Sequence, residues 1–363
     1  MKKLLILLLM LSLLSGCNLV DETYYVVQKH SEPQVQTEQI AEEEPTVVTD
    51  RNDLRAALLY RTRNWIEQDV LIIENYDGDF NQDLSEVLNH AMQEDPIGAY
   101  AVDYIDAQLT GTTDSGKLQV SIVFRRSAAE IDSIVTVDGV TNALQRIQLA
   151  ISSYGASLTL RIQNYQETDF ETEIRKNCLE NLNRVLVIPE FSAEIYPHNG
   201  ETRILELHFT YPYTRDEMRV MLSTVKTVLS SSNSYISSGE NDLERMELLA
   251  RFLTTRFDYR IAEEMPQMPA YELLHDGMAH SLSFAAVFRY ECVTAGIDCW
   301  LINGTKNAQE HNWTIVCIDD VYYHVELMQS VLLGEDALRL LTAEQMREEG
   351  YEWASEVDPS MEP

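Results

Sequence analysis

Three residues in the last third of the chain could together carry out acyl transfer: Ser281, His311 and Glu326. A serine hydroxyl becomes a nucleophile when a histidine accepts its proton, and a carboxylate can hold that histidine in the required orientation. The three residues occur in the order nucleophile, base and orienting acid. The sequence therefore predicts a site in which these side chains meet, provided that the intervening elements bring them together.

Each of these residues falls on an element that the sequence pattern predicts. A largely apolar stretch without helix breakers begins at Ser281 and predicts a buried helix. His311 belongs to a predicted strand, and Trp313 points to the same side because alternate side chains of a strand share a face. A turn at 319–320 leads into a second strand that ends at Glu326. Glu326 is thereby predicted to reach the imidazole ring of His311.

Further residues extend this pattern into a longer motif. Tyr259 lies on a short strand segment before the site, and Gly277 belongs to the loop that leads into the helix. The order of these elements is similar to that of the bacterial transglutaminase-like superfamily, which has a papain-like fold. The resemblance covers about residues 241–356. It implies catalytic positions at Ser281, His311 and Glu326, and supporting positions at Trp313, Tyr259 and Gly277.

The nucleophile position carries the main departure from this family. Family members have a cysteine flanked by glycines, whereas this chain has Ser281 between Ala279 and Ser283. A thiol at a helix N-terminus beside a histidine loses its proton near neutral pH, because the helix dipole and the imidazolium stabilise the thiolate. A serine hydroxyl is a far poorer acid than a cysteine, whose reference pKa is about 8.5. We therefore predict a degenerate triad at which catalysis has been lost.

Other functions remain open at this point. In one, Ser281 is the nucleophile of an active Ser-His-Glu amide hydrolase or acyltransferase, of the protease or transamidase type. In another, the protein is structural and its N-terminal repeats bind a partner. The motif could also be a chance match. The favoured prediction is a pseudoenzyme that binds a peptide or cell-envelope material and needs no cofactor. The sequence does not indicate the oligomeric state.

The N-terminus predicts export and lipid attachment. Lys2 and Lys3 precede an apolar run from Leu4 to Leu14, which has the architecture of a secretory signal peptide and is too short to span a bilayer. The segment that follows, Ser15-Gly16-Cys17, resembles a bacterial lipobox, in which the cysteine is lipidated. Cys17 is therefore the predicted lipidation site. The protein is expected outside the cytoplasm, anchored to the bacterial cell membrane; an ordinary signal peptide is the alternative.

Composition argues against several partners and ligands. The chain has 59 acidic and 27 basic residues and a formal net charge of −32, so its surface repels nucleic acid. It has no cysteine or histidine spacing typical of zinc, and Gln82 replaces the glycine that a calcium loop at 77–83 would need. No metal is predicted. Four cysteines besides Cys17 are expected as buried thiols, with a disulfide as the alternative: Cys178, Cys292, Cys299 and Cys317.

An internal repeat is predicted between residues 51 and 229. The segment Leu71–Phe80 is similar to Leu160–Phe170, and their starts are 89 residues apart. In each copy a helix precedes this segment, and a second helix and a strand pair follow it. The pair of the first copy is predicted to begin with a strand at 99–108, and the second helix of the second copy is predicted at 172–185. Each copy ends in a helix entered through a possible capping box, at Ser127 and at Thr214. We therefore predict two tandem α+β modules.

These patterns together predict an α+β protein in which two repeat modules precede a papain-like, transglutaminase-type domain. The N-terminal 50 residues are not expected to contribute to a core, because the segment after the signal peptide is polar and acidic. The predicted boundaries are a signal peptide at 1–16, an acidic disordered tether at 17–50, modules at 51–139 and 140–229, a linker at 230–240, the transglutaminase-like domain at 241–356 and a tail at 357–363.

Overall fold

The computed structural model describes residues 46–334 and 338–354, which form a mixed α+β structure. The predicted signal peptide, Cys17, almost all of the tether and the tail lie outside these described residues. Within the described ranges, no helix is both long and apolar enough to cross a membrane.

The first module is a four-stranded sheet covered by helices. Its strand order is β1-β2-β4-β3, with β1 parallel to β2 and the other pairs antiparallel. A π-helical segment at His90–Glu94 follows the second helix. In chain order the elements are β1 (Val47–Val48), α1 (Arg51–Arg63), β2 (Gln68–Glu74), α2 (Phe80–Asn89), α3 (Pro96–Ala101), β3 (Val102–Gly111), β4 (Ser115–Phe124) and α4 (Ala128–Asp132).

The second module has the same strand order and the same strand directions, β5-β6-β8-β7, with β5 parallel to β6. Each sheet also contains a first short strand that was not predicted from the sequence, and both strands lie before the predicted module starts at 51 and 140. The predicted disordered tether at 17–50 is therefore wrong at Val47–Val48, and the boundary at 139/140 separates β5 from its own sheet. The internal repeat itself stays a prediction. The elements are β5 (Val135–Asp138), α5 (Gly139–Ser152), β6 (Ser157–Gln163), α6 (Phe170–Glu180), β7 (Glu190–Tyr196), β8 (Arg203–Thr210) and α7 (Arg215–Ile236).

The C-terminal part packs helices against an antiparallel sheet of order β13-β12-β11-β14. A short parallel pair, β9 with β10, lies just before the central helix. The elements are α8 (Asp242–Thr254), β9 (Arg260–Ile261), α9 (Pro269–Leu274), β10 (Met278–Ala279), α10 (Ser281–Thr294), β11 (Cys299–Lys306), β12 (Gln309–Ile318), β13 (Val321–Val325), α11 (Leu327–Leu333), α12 (Ala343–Glu348) and β14 (Tyr351–Trp353).

The linker predicted at 230–240 is wrong for most of its length, because α7 continues to Ile236. The serines that suggested a linker are accommodated by the helix. Ser231 and Ser234 donate their hydroxyls to backbone carbonyls four residues earlier, at 2.9 and 3.1 Å. Ser232 is buried, and its hydroxyl lies within hydrogen-bond distance of both the Leu229 carbonyl, at 2.8 Å, and Glu291, at 2.6 Å. Polar composition alone therefore did not identify a break in this helix.

Two other predicted elements have different limits in the structure. The strand predicted to start at Ala99 starts at Val102, because Asp95 accepts from the Gly98 amide at 3.0 Å and caps the short helix α3. The helix predicted from Thr172 to Val185 ends at Glu180. Both predicted capping boxes are confirmed, at Ser127 and at Thr214.

The hydrophobic core does not follow the predicted domain limits. One continuous cluster of buried apolar side chains runs through the second module and the C-terminal part, from Val137 to Leu327. The first module has its own separate cluster. The first module contacts the second module through a small interface, in which Tyr100 packs against Tyr196 and Arg126 forms an ion pair with Glu206. Hence α10 is positioned by a core to which the second module contributes.

Candidate functional site

Ser281 is the first residue of α10 and is 4 % exposed. The preceding residue, His280, is the N-cap of this helix, and its Nδ1 accepts from the Leu282 amide at 3.1 Å. Burial lowers the pKa of His280, and the nearby His311 lowers it further. His280 is therefore held neutral as a cap between the helix and the proposed base.

The hydroxyl of Ser281 hydrogen-bonds to the strand that carries His311. Its Oγ accepts from the backbone amide of Asn312 at 3.2 Å. Among the described residues, no hydrogen bond joins Ser281 to His311 itself. A general base must hydrogen-bond to the hydroxyl that it deprotonates, directly or through one water. The structure thus places Ser281 beside the base but does not connect the two directly.

His311 and Glu326 do make direct contact. The distance between His311 Nε2 and Glu326 Oε1 is 3.2 Å. Strand β12 pairs with β13, with Thr314 opposite Val325, so the acid that follows β13 returns alongside the histidine. With its proton on Nε2 donated to the carboxylate, the ring keeps Nδ1 as an acceptor. A ring that an acid orients through one nitrogen, with the other nitrogen open to accept a proton, is the arrangement that a base in an acyl-transfer triad requires.

Glu326 also has a structural role that the sequence analysis missed. It is the N-cap of α11, where Oε1 accepts from the Met328 amide at 3.0 Å and Oε2 from the Gln329 amide at 2.6 Å. The side chain is almost completely buried. Capping a helix N-terminus stabilises a carboxylate through two N–H donors and the helix dipole. Both oxygens of Glu326 are thus fixed independently of any reaction.

Two residues around the acid carry no motif signal in the sequence. The Tyr351 hydroxyl lies 3.5 Å from Glu326 Oε2, and its ring packs edge-on against His311 with centroids 5.7 Å apart. Lys306 donates to the Tyr351 hydroxyl at 2.7 Å and to Gln329 at 2.6 Å. Burial raises the pKa of Tyr351, and the carboxylate of Glu326 raises it further. The pairing of β14 with β11 brings Tyr351 to the site from a distant part of the chain.

The predicted supporting residues are structural in different ways. Trp313 is 1 % exposed, and its Nε1 donates to His324 Nδ1 at 2.9 Å. The Tyr259 hydroxyl donates to the Leu253 carbonyl, and its ring packs 5.2 Å from that of Phe284. Gly277 has a φ of +65°, a conformation that favours glycine. All three shape the surroundings of Ser281 through packing or backbone geometry.

The space next to Ser281 is a gap between α10 and the sheet and does not resemble a substrate pocket. It has an empty volume of about 170 Å³ but no room for a water molecule. Apolar side chains dominate its lining, which includes Phe284, Phe288, Trp313 and Leu327. Ligand sites in proteins typically enclose at least about 300 Å³. This gap therefore does not admit a substrate to the Ser281 hydroxyl.

The described part of the chain provides no alternative nucleophile or metal centre. The four cysteines from 178 to 317 are free thiols. Cys292 hydrogen-bonds to Cys299, and burial raises the pKa of the Cys292 thiol well above its ordinary value. No group of three or more metal-ligating side chains occurs among the described residues. Two acids of the suspected calcium loop have local partners: Asp79 caps α2, and Asp83 accepts from the Tyr76 hydroxyl at 3.0 Å.

Comparison with known proteins adds little to this geometry. No family model and no curated protein sequence matches the chain. A solved structure of a TGase is 9% identical, with a TM-score of 0.26 over 67% of this chain and 68% of that chain. A candidate protease from Parabacteroides distasonis is 10% identical, with a TM-score of 0.21 over 61% of this chain and 35% of that protein. These TM-scores are too low to support a conclusion about shared fold or function.

Proposed function

We propose that the C-terminal part is a transglutaminase-like domain that has lost catalysis and serves as a binding module for peptide or cell-envelope material. The support is the order of its elements: Ser281 begins a helix, and His311 and Glu326 meet on the adjoining sheet at 3.2 Å. That order matches the resemblance found in the sequence.

The observation that carries the non-catalytic part is the bonding of Ser281. Its hydroxyl accepts from the Asn312 amide at 3.2 Å, and it has no hydrogen bond to His311 within the described structure. A thiolate needs no such bond at the moment of attack, because the ion pair with histidine is already formed. An alcohol depends on it, because the base must take the proton during the reaction. With a serine in place of the cysteine, the ion pair between thiolate and imidazolium cannot form, and the site lacks an activated nucleophile.

An active serine hydrolase is the second candidate, and one observation favours it. The dyad of His311 and Glu326 is intact, and His311 Nδ1 is left to accept a proton. In this candidate, the Ser281 hydroxyl would exchange the Asn312 amide for this nitrogen. The two candidates differ in whether Ser281 reacts covalently.

Three proteins distinguish the candidates: the mature wild type, Ser281→Ala and His311→Ala. We expect equal, background rates of amide hydrolysis and transamidation for all three, and no labelling of Ser281 by a fluorophosphonate. Wild-type turnover that disappears in both variants, together with His311-dependent labelling, would establish the serine hydrolase and refute the binding module.

The Ser281→Cys variant tests the transglutaminase-like frame separately. A thiol at the α10 N-terminus beside His311 should have a lowered pKa and should react with iodoacetamide faster at pH 6 than an ordinary cysteine. The double variant Ser281→Cys/His311→Ala should lose this advantage. Equal rates in the single and double variants would show that the frame does not support a thiolate, and the proposed family relation would then be wrong.

We also propose that the protein is a lipoprotein anchored to the bacterial cell membrane through Cys17. The support comes from the sequence alone, from the short apolar run followed by Ser15-Gly16-Cys17. Cys17→Ser should abolish incorporation of labelled palmitate in a bacterial host and move the protein from the membrane fraction to the soluble exported fraction. Unchanged membrane association of Cys17→Ser would exclude this anchor. Ser15→Thr, a substitution next to the lipidation site that keeps Cys17, serves as the control.

A further inference from the structure

A groove remote from Ser281 lies between the start of α6, the edge strand β7 and the segment 265–267. It encloses about 670 Å³, within the range of ligand-binding clefts. One side is formed by the second module and the other by the loop before α9. The lining residues that matter here are Asp169, Phe170, Glu171, Phe191, Ala193 and Ile195.

Strand β7 is at the edge of its sheet and pairs only with β8. The Phe209 amide donates to Ala156 at 2.8 Å, on the opposite side of β8, so odd-numbered residues of β8 bond towards β6. Its even-numbered residues therefore bond towards β7, where His208 lies opposite Ser192. Backbone polar groups alternate in direction along an antiparallel strand. The amides and carbonyls of Phe191, Ala193 and Ile195 consequently point away from β8.

These three outward-facing residues also line the groove. Among the described residues, no backbone hydrogen bond outside the regular strands and helices uses their amides or carbonyls. Two residues before the strand, the Ile188 amide donates to the Gln267 carbonyl at 2.8 Å, so the segment 265–267 lies next to the start of β7. An unpaired strand edge is a template for another extended chain. The groove thus combines a free edge with space for the side chains of an added strand.

The chemistry of the groove favours one kind of chain. Its apolar lining includes Phe170, Phe191 and Ile195. The lining also includes Asp169 and Glu171, and hydrogen bonds from Thr172 lower the pKa of Asp169. Arg175, the cation in the lining, lies 3.5 Å from Glu171 and offsets one charge.

Strand β7 adds two exposed carboxylates. Glu190 lines the groove itself, whereas Glu194 lies on the face of the strand opposite to Phe191 and Ala193. A strand added beside β7 would present alternate side chains to the apolar groove and to these carboxylates. Opposite charges on neighbouring strands stabilise the pairing, whereas like charges oppose it.

We propose that this groove binds an extended peptide of alternating apolar and cationic residues, which adds a strand to the sheet beside β7. This mode of recognition uses main-chain hydrogen bonds for affinity and alternate side chains for specificity. The chain's own segment 18–44 does not fit, because it has seven acidic residues and one lysine. A second copy of β7 would bring Glu190 and Glu194 against identical carboxylates. The proposal stands whether or not Ser281 is catalytic.

The test uses the mature wild-type protein and a fluorescent, N-acetylated peptide amide, Lys-Val-Lys-Val-Lys-Val-Lys, at about 0.15 M salt to screen non-specific attraction. Anisotropy should show saturable binding. Two control peptides separate the contributions: one has glutamate at each lysine, and the other is N-methylated at alternate residues so that it cannot pair as a strand. We expect both controls to bind at least about tenfold more weakly, because each loses charge complementarity or hydrogen bonds.

Two variants locate the binding site. Ala193→Pro removes an outward amide without removing a bond to β8, and proline is tolerated on edge strands. It should weaken binding of the lysine peptide about tenfold or more, because the ring also occupies the path of the added strand. Glu190→Lys should weaken it about fivefold through charge repulsion. The matched control is Glu247→Lys, an exposed glutamate on α8, which should bind as the wild type does.

Several results would overturn the proposal. If the N-methylated peptide bound as tightly as the lysine peptide, the overall negative charge of the protein would account for binding. The same would follow if Glu190→Lys and Glu247→Lys bound the lysine peptide with equal affinity. Dimerisation in sedimentation experiments that Ala193→Pro abolishes would show that a second copy occupies the edge. Failure of the wild type to bind the lysine peptide at all would exclude this class of ligand.

Discussion

At the scale of single residues, Ser281 and Glu326 make structural contacts that do not depend on catalysis. Glu326 holds His311 at 3.2 Å and also caps α11, so it remains necessary for the fold if catalysis is lost. Ser281 keeps its place at the helix start through the Asn312 amide. A degenerate site can thus retain the geometry of a triad because packing and capping require it.

Another residue on the same helix has a titration that should affect stability. Glu291 is fully buried in α10, where its Oε1 accepts from the Ser232 hydroxyl at 2.6 Å and its Oε2 has no partner. Burial raises the pKa of Glu291 from 4.5 to about 7, although the Ser232 hydrogen bond acts in the opposite direction. The folded protein therefore holds a proton that the unfolded chain releases between these two values. Stability attributable to Glu291 falls as pH rises through this window.

The Glu291→Gln variant removes this pH dependence while keeping an oxygen for Ser232. At pH 5 the variant and the wild type should unfold at nearly the same temperature. At pH 8 the variant should be more stable, by up to about 3 kcal/mol, since each pKa unit corresponds to about 1.4 kcal/mol. Thermal unfolding at several pH values measures the difference, with Glu247→Gln as an exposed control. A difference that does not grow between pH 5 and pH 8 would contradict the assigned burial effect.

At the scale of elements, the sequence predicted the features that depend on residues close together in the chain, such as helix caps and strand alternation. The capping boxes at Ser127 and Thr214 lie where their motifs indicate, because a cap is formed by residues three positions apart. Strands β12 and β13 follow from the alternation around His311 and Glu326. The short strands β1 and β5 and the helix α3 had no such local signal and were not predicted.

Contacts between distant segments could not be predicted in this way. The serine-rich stretch at 230–240 looked like a linker, but its helix is stabilised by packing in which Ser232 meets Glu291. The participation of Tyr351 depends on the pairing of β14 with β11, which no local motif specifies. The Asn312 amide that engages Ser281 is a backbone group, and every residue except proline has one. Such features are set by tertiary structure.

At the scale of the whole molecule, the hydrophobic core is divided differently from the domains predicted from the sequence. The second module and the C-terminal part share one hydrophobic cluster, which includes Leu207, Leu229, Phe284 and Val325. Polar contacts cross the same boundary, for example Arg289 with Glu180 at 3.2 Å. The first module keeps a cluster of its own. A domain that resembles a family in sequence is therefore not necessarily a domain that folds alone.

Truncated chains should reveal this arrangement. A chain of residues 134–363 keeps the shared cluster intact and should unfold in one cooperative thermal transition. A chain of residues 241–363 lacks the residues of the second module that pack against α8 and α10. The apolar surface of these two helices would then be exposed to water, at a free-energy cost of about 25 cal/mol per Å². This chain should aggregate or unfold without cooperativity. Residues 46–133, with their own cluster, provide the control and should fold cooperatively although they form a shorter chain. A cooperative transition in 241–363 at the temperature of 134–363 would mean that the shared cluster contributes nothing to stability.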